Sequence, residues 1–173
     1  MGADAFADPA AEIEERVRGV LREMGSEYVE IPCDPELADT AAFCAHYGYP
    51  LAMSANTIIV AARREPGVAC ACVVLATMRL DVNHTVCDLL GVRKASFASA
   101  DVTRELTGML IGGVTPFSLP ESLPIYIDDA LMRSAQVIVG GGSRSLKLQV
   151  APRWLAQLPG ARVIDGLAAP ASS

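Results

Sequence analysis

Aromatic residues are scarce in this chain, at 5% of its 173 residues, although 51% of the sequence is hydrophobic. The core must therefore be built from Ala, Val, Leu and Ile, and the hydrophobic content excludes a disordered chain. Long apolar runs are also absent, because the longest, at residues 68–78, is about half of the roughly 20 residues that a membrane helix needs. The acidic N-terminus carries no basic segment followed by an apolar one, so we expect no signal peptide and a cytoplasmic protein without a membrane partner.

Cysteine and histidine are too few, and too poorly spaced, to indicate a disulfide framework or a zinc site. The five cysteines form no CxxC pair, and His46 and His84 are the only histidines. A zinc site would need an unusual ligand set. We therefore expect reduced, mostly buried thiols and neither a metal nor an organic cofactor.

Negative charge is concentrated at one end of the sequence. The net charge is −6, but residues 1–40 carry eleven of the twenty acidic residues and three of the fourteen basic ones, a balance of −8. Residues 41–173 therefore carry +2. The acidic total does not exclude RNA, since a protein that touches only the tip of an RNA needs few phosphate contacts.

The hydrophobic pattern predicts helices and strands in mixed order. Helices are expected at residues 11–24, 35–47, 83–90, 99–108, 129–133 and 152–158, and strands at 27–31, 57–62, 68–77, 124–128, 136–139, 146–150 and 161–164. The strands at 57–62 and 68–77 flank a Pro-Gly turn, which indicates a hairpin. This order predicts an α+β (mixed α/β) fold on a mainly antiparallel sheet, with flexible ends at 1–10 and 168–173 and a single domain at 11–167.

Two glycine clusters are the candidate ligand-binding segments. Gly112 and Gly113 precede Pro116, and side-chain-free backbone at such a bend can present N–H groups to the oxyanion that forms during ester hydrolysis. The alternative is a plain turn between a helix and a strand. The second cluster, 140–142, precedes Ser143 and Arg144 and could cradle a phosphate, or it could be a tight hairpin with a solvated arginine.

Taken in order, the motifs of the second half resemble the YbaK/EbsC family. They read Thr-Gly at 107–108, Gly-Gly-Val-Thr-Pro-Phe at 112–117, Leu-Pro-Ile-Tyr-Ile-Asp at 123–128 and Gly-Gly-Ser-Arg-Ser-Leu-Lys at 141–147. The segments 89–94 and 96–100 also resemble the middle of the family, so the likeness runs over about residues 26–164. That family includes free-standing deacylases related to the editing insertion of bacterial prolyl-tRNA synthetase.

The resemblance implies a curved, mainly antiparallel sheet flanked by helices. It also implies hydrolysis of the ester between a wrong amino acid and the 3′ end of a tRNA, with an aminoacyl-tRNA synthetase as a candidate partner. The family's G-x-x-x-P loop, which lines the aminoacyl pocket, falls on Gly112 and Pro116. It leaves open the amino acid, the tRNA and the oligomeric state.

The chain departs from the family at one position that matters for chemistry. The family's deacylases carry a lysine before the first apolar strand, where this chain has Asn56. An asparagine can hydrogen-bond a carbonyl or a ribose hydroxyl but brings no charge. One hypothesis is that Lys147, one of only two lysines, supplies the missing cation from another wall of the pocket. The alternative is that Lys147 is a solvated residue of a strand.

These arguments give one set of candidate site residues. Catalytic roles are expected for Gly112, Gly113 and Lys147, and substrate contacts for Asn56, Thr57, Val114, Thr115, Pro116, Phe117, Gly142, Ser143 and Arg144. The attacking group would be a water or a ribose hydroxyl, because no protein nucleophile is evident. Three functions remain open: an editing deacylase, an inactive module that binds aminoacyl-tRNA or a nucleotide-like ligand, and an esterase for small molecules.

Overall fold

The computed structural model of the protein describes residues 8–171. Within that range the α-helices are α1 (Pro9–Met24), α2 (Thr40–Tyr47), α3 (Cys87–Leu90), α4 (Ala100–Thr107) and α5 (Pro152–Ala156). The strands are β1 (Tyr28–Pro32), β2 (Ala55–Ala62), β3 (Ala69–Leu75), β4 (Met78–Leu80), β5 (Ala95–Phe97), β6 (Ile125–Asp128), β7 (Val137–Gly140), β8 (Leu146–Val150), β9 (Ala161–Ile164) and β10 (Ala168–Pro170).

Three sheets organise these strands. The largest has the order β5-β2-β3-β6-β9, in which β2 pairs antiparallel with both β3 and β5, whereas β6 lies parallel to β3 and to β9. The second, β1-β8-β7, is antiparallel throughout, and β10 pairs with β4. A single bridge between Ser54 and Ile138 brings the first two sheets together beside the start of β2.

The strand β3 carries core residues on both of its faces. Ala71 and Val73 pack in the cluster that joins the two larger sheets to α1, while Cys70 and Cys72 pack in the cluster beneath α3. All four are fully buried. A strand covered on both sides reads as a continuous apolar run, which explains why 68–78 is the longest such run in the sequence.

The helix α1 closes one side of the molecule, and its ends follow the expected capping chemistry. The Asp8 side chain accepts a hydrogen bond from the Ala10 N–H, and Gly25 ends the helix in the left-handed conformation with φ +67°. Val17 and Leu21 are fully buried on the inner face. Glu12, Glu15 and Glu23 of this helix are exposed, whereas Glu14 is half-buried.

Most elements predicted from the sequence are confirmed, with corrections at their edges. The predicted helix 35–47 is instead a short 3₁₀ turn at Pro35–Leu37 followed by α2. The two are separate because the helix is interrupted at Ala38 and Asp39, and Asp39 is the N-cap of α2. The hairpin of β2 and β3 is confirmed, but β4, β5 and β10 were missed. These three strands are only three residues long, too short for an alternating pattern to register.

Parts of the two ends that were expected to be flexible belong to regular elements. Pro9 and Ala10 belong to α1, and Ala168–Pro170 forms β10, whose pairing with β4 orders it. Residues 1–7 and 172–173 lie outside the described residues, and the single-domain organisation stays a prediction.

The cysteines are buried free thiols, as the sequence predicted, at positions 33, 44, 70, 72 and 87. Burial raises the pKa of the Cys33 thiol. In residues 8–171, no helix is both long enough and apolar enough to cross a membrane.

Candidate functional site

A cavity of about 350 Å³ opens between the two larger sheets, and we call it the main cavity. It is lined by β2, the start of α2, the end of β5 with Ala98, Thr103 on α4, the first glycine loop (residues 111–114), Gly140 on β7 and Lys147 on β8. The sequence predicted a hollow beside Gly112, and the cavity lies there.

Lys147 is a buried cation in this wall. Its side chain is only 6% exposed, and its Nζ donates hydrogen bonds to the carbonyl oxygens of Ala38 (2.6 Å) and Gly112 (2.8 Å). The ammonium also lies 5.6 Å from the centroid of the Phe43 ring. Burial lowers the pKa of Lys147, since desolvation disfavours the charged form. The alternative interpretation of Lys147 as a solvated strand residue is therefore wrong.

Gly112 has a left-handed backbone conformation and lies between the side chains of Arg144 and Lys147. Its φ of +93° lies in the left-handed region, and a Cβ there would collide with the Arg144 guanidinium, so only glycine fits. Its carbonyl accepts from Lys147, and its N–H has no acceptor within residues 8–171. The Val114 N–H is likewise without an acceptor in that range. Both residues line the main cavity, which makes these two amides the available donors.

Gly113 has a different task from the one predicted. Its N–H donates to Leu110 O at 2.9 Å, and its carbonyl accepts from the Gly142 N–H at 2.9 Å. A Cβ on Gly113 would collide with the main chain of Ser143, and one on Gly140 with the carbonyl of Val114. The predicted catalytic role of Gly113 is corrected: it lets the first glycine loop pack against the second.

The strand β2 supplies the opposite wall. The Asn56 Oδ1 accepts from Thr40 Oγ1 at 2.5 Å, which leaves the side-chain NH₂ without an acceptor among the described residues. The Thr57 Oγ1 is buried and has no hydrogen-bond partner there either. Unsatisfied buried polar groups are uncommon and each calls for an explanation, which a ligand in the main cavity would supply for Thr57.

The main cavity also occupies a gap in the sheet. The Ile59 carbonyl accepts from the Ala98 N–H at 2.8 Å, so the main-chain groups of Ile59 face the β5 edge of β2. Backbone groups alternate along a strand, and those of Thr57 therefore face the same edge. Pairing with β5 begins at Val60 and the bridge to β7 is at Ser54, which leaves the edge at Thr57 uncovered.

Three predicted contact residues lie behind the cavity instead of in it. Thr115 and Phe117 are fully buried, and Pro116 is buried between them. None of the three lines the main cavity, whereas Val114 does. Their predicted substrate contact is corrected to a supporting role, because Phe117 anchors the glycine loop in the core.

The second glycine loop (residues 140–143) and Arg144 form hydrogen bonds within the protein. The N–H groups of Gly141 and Gly142 donate to Leu146 O and Gly113 O, so they are not free to cradle a phosphate. Ser143 Oγ donates to Glu14 on α1. Gly142, Ser143 and Arg144 instead border a second cavity of about 330 Å³ on the far side of the first glycine loop.

Arg144 joins three segments to one another. Its Nε donates to Pro35 O at 2.9 Å, and its Nη1 donates to Ile111 O at 2.6 Å and lies 3.3 Å from Asp39 Oδ1. The alternative interpretation of Arg144 as a solvated residue is therefore wrong as well, since its side chain is only 27% exposed. Arg144 holds the first glycine loop against the start of α2.

Comparison with known proteins fits this architecture. The sequence profile of the family described as "Aminoacyl-tRNA editing domain" matches residues 34–158. The chain belongs to this family. Membership supports an editing-type function on aminoacyl-tRNA in general, and the expected resemblance to the YbaK-type domain is confirmed.

Individual relatives of this editing domain differ in how much of it they match. It is 34% identical over 70 residues to the uncharacterized protein YwhH of Bacillus subtilis (strain 168), which is 40% of the chain and 45% of YwhH, so the match spans less than half of that relative. The crystal structure of hypothetical protein APE2540 has a TM-score of 0.77 and 28% identity, over 87% of this chain and 97% of that one.

A further solved structure of the same fold is a candidate trans-editing enzyme for prolyl tRNA synthetase. Its TM-score is 0.74 and its identity 24%, over 92% of this chain and 97% of that one. Together these matches confirm the predicted α+β fold with mixed sheets flanked by helices.

Sequence reasoning missed part of the editing domain's cavity wall. Asp39, Thr40, Phe97 and Ile111 line the main cavity, and none was predicted. The Asp-Thr pair at 39–40 is a typical helix start, which could have located the first two. The other two are apolar residues with no signature in sequence, since only the packing of the chain brings them to the rim.

Proposed function

We propose that this chain hydrolyses the ester of a mischarged tRNA in trans, with the aminoacyl group bound in the main cavity. The observation that carries the proposal is the buried ammonium of Lys147 at the wall of a cavity in which the Asn56 NH₂ group and the Thr57 hydroxyl lack partners among residues 8–171. The family supports the general function, and the following steps concern how this chain would perform it.

Lys147 is the group we assign to stabilising negative charge. An ammonium has three donors, and two are used by the carbonyls of Ala38 and Gly112. The third remains for an ester carbonyl that becomes an oxyanion. Such a donor acts strongly because it is buried and already held in place, so it does not need to reorganise. The free N–H groups of Gly112 and Val114 add to it.

The wall formed by β2 would orient the substrate. The Asn56 NH₂ group can donate to a carbonyl or to a ribose hydroxyl, and the Thr57 main-chain carbonyl can accept from a substrate amino group. These partners require no charge. Asn56 in place of the family's lysine therefore still leaves a site that recognises an amino acid joined to a ribose.

The nucleophile would be a water molecule or a ribose hydroxyl. Within residues 8–171 the cavity lining contains no Cys, His or Ser, and the hydroxyl of Thr40 donates to Asn56 Oδ1. Holding the ester and the attacking oxygen together lowers the barrier without a covalent intermediate on the protein. The volume of about 350 Å³ is near the lower end for ligand pockets, which favours amino acids with small side chains.

A second function is favoured by one specific observation. Asn56 removes the cation that the family places before the first apolar strand, and a cavity without it could bind aminoacyl-tRNA without hydrolysing it. The two functions share the cavity and its ligand, and they differ only in whether free amino acid is released.

The test uses a panel of mischarged tRNAs, including alanyl- and cysteinyl-tRNA, with release of free amino acid as the readout. We expect release by the wild type and a loss of about 100-fold or more in kcat/KM for Lys147→Met. If Lys147 replaces the family's cation, adding Asn56→Lys to Lys147→Met should restore activity. Binding without release would favour the binding module, and turnover of simple aminoacyl esters without any dependence on RNA would favour a small-molecule esterase.

We place this activity in the cytoplasm and expect neither a metal nor an organic cofactor to take part. A synthetase that produces the mischarged tRNA is the expected protein partner. Co-purification with such a synthetase, compared between the wild type and a variant with an altered surface, would test that expectation.

A further inference from the structure

Phe97 is an exposed aromatic residue at the rim of the main cavity. It ends β5, its side chain is 60% exposed, and it is the most exposed large hydrophobic residue among those described. It lines both the main cavity and a third, neighbouring cavity that continues along the β4 side of the sheet. Ile111, at 49% exposed, adds apolar surface to the same rim.

Beyond Phe97 lies a group of exposed cations, which we call the basic patch: Arg63, Arg64, Arg79, Arg93 and Lys94. Arg63 and Arg79 line the third cavity together with Phe97, while Arg64, Arg93 and Lys94 line a fourth one that shares Asn83 with it. The backbone fixes this cluster, because the Arg63 N–H donates to Lys94 O at 2.9 Å.

The positive charge of the basic patch exceeds the negative charge of the acidic residues around it. None of its five members forms a salt bridge or a side-chain hydrogen bond within residues 8–171, whereas Arg18, Arg22, Arg133 and Arg144 all do. The acidic residues bordering it are Glu65, Asp81 and Asp88. Asp81 contacts His84 and Thr85 and not an arginine, and three carboxylates beside five cations leave the surface net positive.

We propose that Phe97 and the basic patch form the docking surface for RNA, with Phe97 stacking on an unpaired base next to the aminoacylated ribose and the patch contacting the phosphates that follow. This inference rests on the proposed function, since it places the ester in the main cavity. Stacking on an exposed aromatic ring is how proteins hold unpaired bases without reading their sequence, and arginines beside it supply the phosphate contacts.

Charge distribution favours RNA as the occupant over an acidic protein surface. Four acidic residues of the first 40 positions lie on α1, whereas the patch lies at the turn after β2, on β4 and at the residues before β5. A ligand with a base beside a run of phosphates matches an aromatic ring beside a run of cations. The net charge of −6 therefore conceals a local surface of the opposite sign.

The test measures binding of a labelled, uncharged RNA hairpin with a short unpaired 3′ end by fluorescence anisotropy over a range of salt concentrations. We expect Phe97→Ala to weaken binding about 5- to 150-fold, and Phe97→Trp to retain it. Arg63→Ala/Lys94→Ala should lower the slope of log K against log salt by about 1 to 2. A blunt hairpin should bind more weakly and should not respond to Phe97→Ala.

Matched controls lie on the opposite edge of the same sheet. Val163 is 44% exposed on β9, and Arg162 is exposed beside it, so Val163→Ala and Arg162→Ala remove comparable groups far from the cavity. Both should leave RNA binding unchanged. Undetectable binding by the wild type, or equal losses in the β5 and β9 variants, would overturn the proposal.

Failure of this inference can be told apart from failure of the proposed function. Uncharged RNA binds without being hydrolysed, so RNA binding that depends on Phe97 in a protein that releases no amino acid supports the docking surface alone. Conversely, hydrolysis of mischarged tRNA that is unaffected by Phe97→Ala and by the double substitution would retain the activity and refute the surface.

Discussion

The two cavities on either side of the first glycine loop differ in what their polar groups do. In the main cavity the Asn56 amide, the Thr57 hydroxyl and the Gly112 N–H have no partner among the described residues. In the second cavity Ser143 and Arg144 are both engaged by the protein itself. Polar groups left unsatisfied at a cavity wall indicate a binding site, whereas satisfied ones indicate structure.

Lys147 and Arg144 differ in the same way, since one keeps a donor for a ligand and the other is used by the protein itself. Lys147 and Arg144 are three residues apart in sequence, and both contact the first glycine loop. Lys147 lines the main cavity and keeps one donor for a ligand, while Arg144 uses its donors to join loop segments. The predictions below test whether this division of roles holds.

The largest effect is expected where the two glycine loops interlock. Gly113→Ala and Gly140→Ala would drive a Cβ into main-chain atoms that have no room to move, so each should reduce the free energy of unfolding by about 3 kcal/mol. Urea denaturation measures this loss. The matched control is Gly19→Ala in α1, whose Cβ would meet nothing closer than 4.0 Å and which should stabilise the helix by up to about 1 kcal/mol. Equal effects at all three positions would show that the loops are not locked together.

Smaller effects, opposite in kind, are expected for Arg144 and Lys147: the first substitution should mainly reduce stability and the second should mainly reduce deacylation. Arg144→Ala removes hydrogen bonds to Pro35 and Ile111 and should cost about 1–3 kcal/mol of stability. Lys147→Met also removes two hydrogen bonds, to Ala38 O and Gly112 O, but it fills similar volume and removes the desolvation cost of a buried charge, so its stability should fall less than that of Arg144→Ala while its deacylation falls sharply. Chemical denaturation and kcat/KM, measured on both variants, decide the matter. Losses of the same kind in both proteins would contradict the division of roles.

The smallest effect concerns pH. Burial lowers the pKa of Lys147 in the folded protein below its ordinary 10.5, so the unfolded chain binds more protons between the two values. The wild type should therefore gain stability as pH rises through that window, relative to Lys147→Met. Ligand binding should weaken over the same window, because the neutral amine is a poorer partner for an oxyanion or carbonyl. Thermal unfolding of both proteins from neutral pH to about pH 10.5 measures the difference, and parallel curves would show that Lys147 does not titrate in this way.

Local signals in the sequence were sufficient to predict where most helices and strands lie, but not which elements pack against each other. Gly25 and Gly108 end helices where the capping rules place them, and β2 and β3 form the predicted hairpin. The parallel pairing of β3 with β6 was not foreseen, since the partners are separated by several elements and nothing local specifies their contact.

For the candidate site, the sequence located the right segments but not the right atoms. It pointed to the stretch around Gly112 and to Asn56, and both line the main cavity. It gave equal weight to Ser143 and Arg144, which face the other way. Two Gly-Gly clusters look alike in a sequence, because the feature that distinguishes them is which cavity each one faces.

The sequence by itself determined the order of most elements, the glycines that end helices and the membership of the family, since these depend on local backbone preferences and on the order of short motifs. Only the tertiary structure decided that Lys147 is buried, that the Gly113 N–H is used and that Phe97 is exposed beside five cations. Burial and hydrogen-bond partners depend on which distant segments pack together, and that is settled by the whole core.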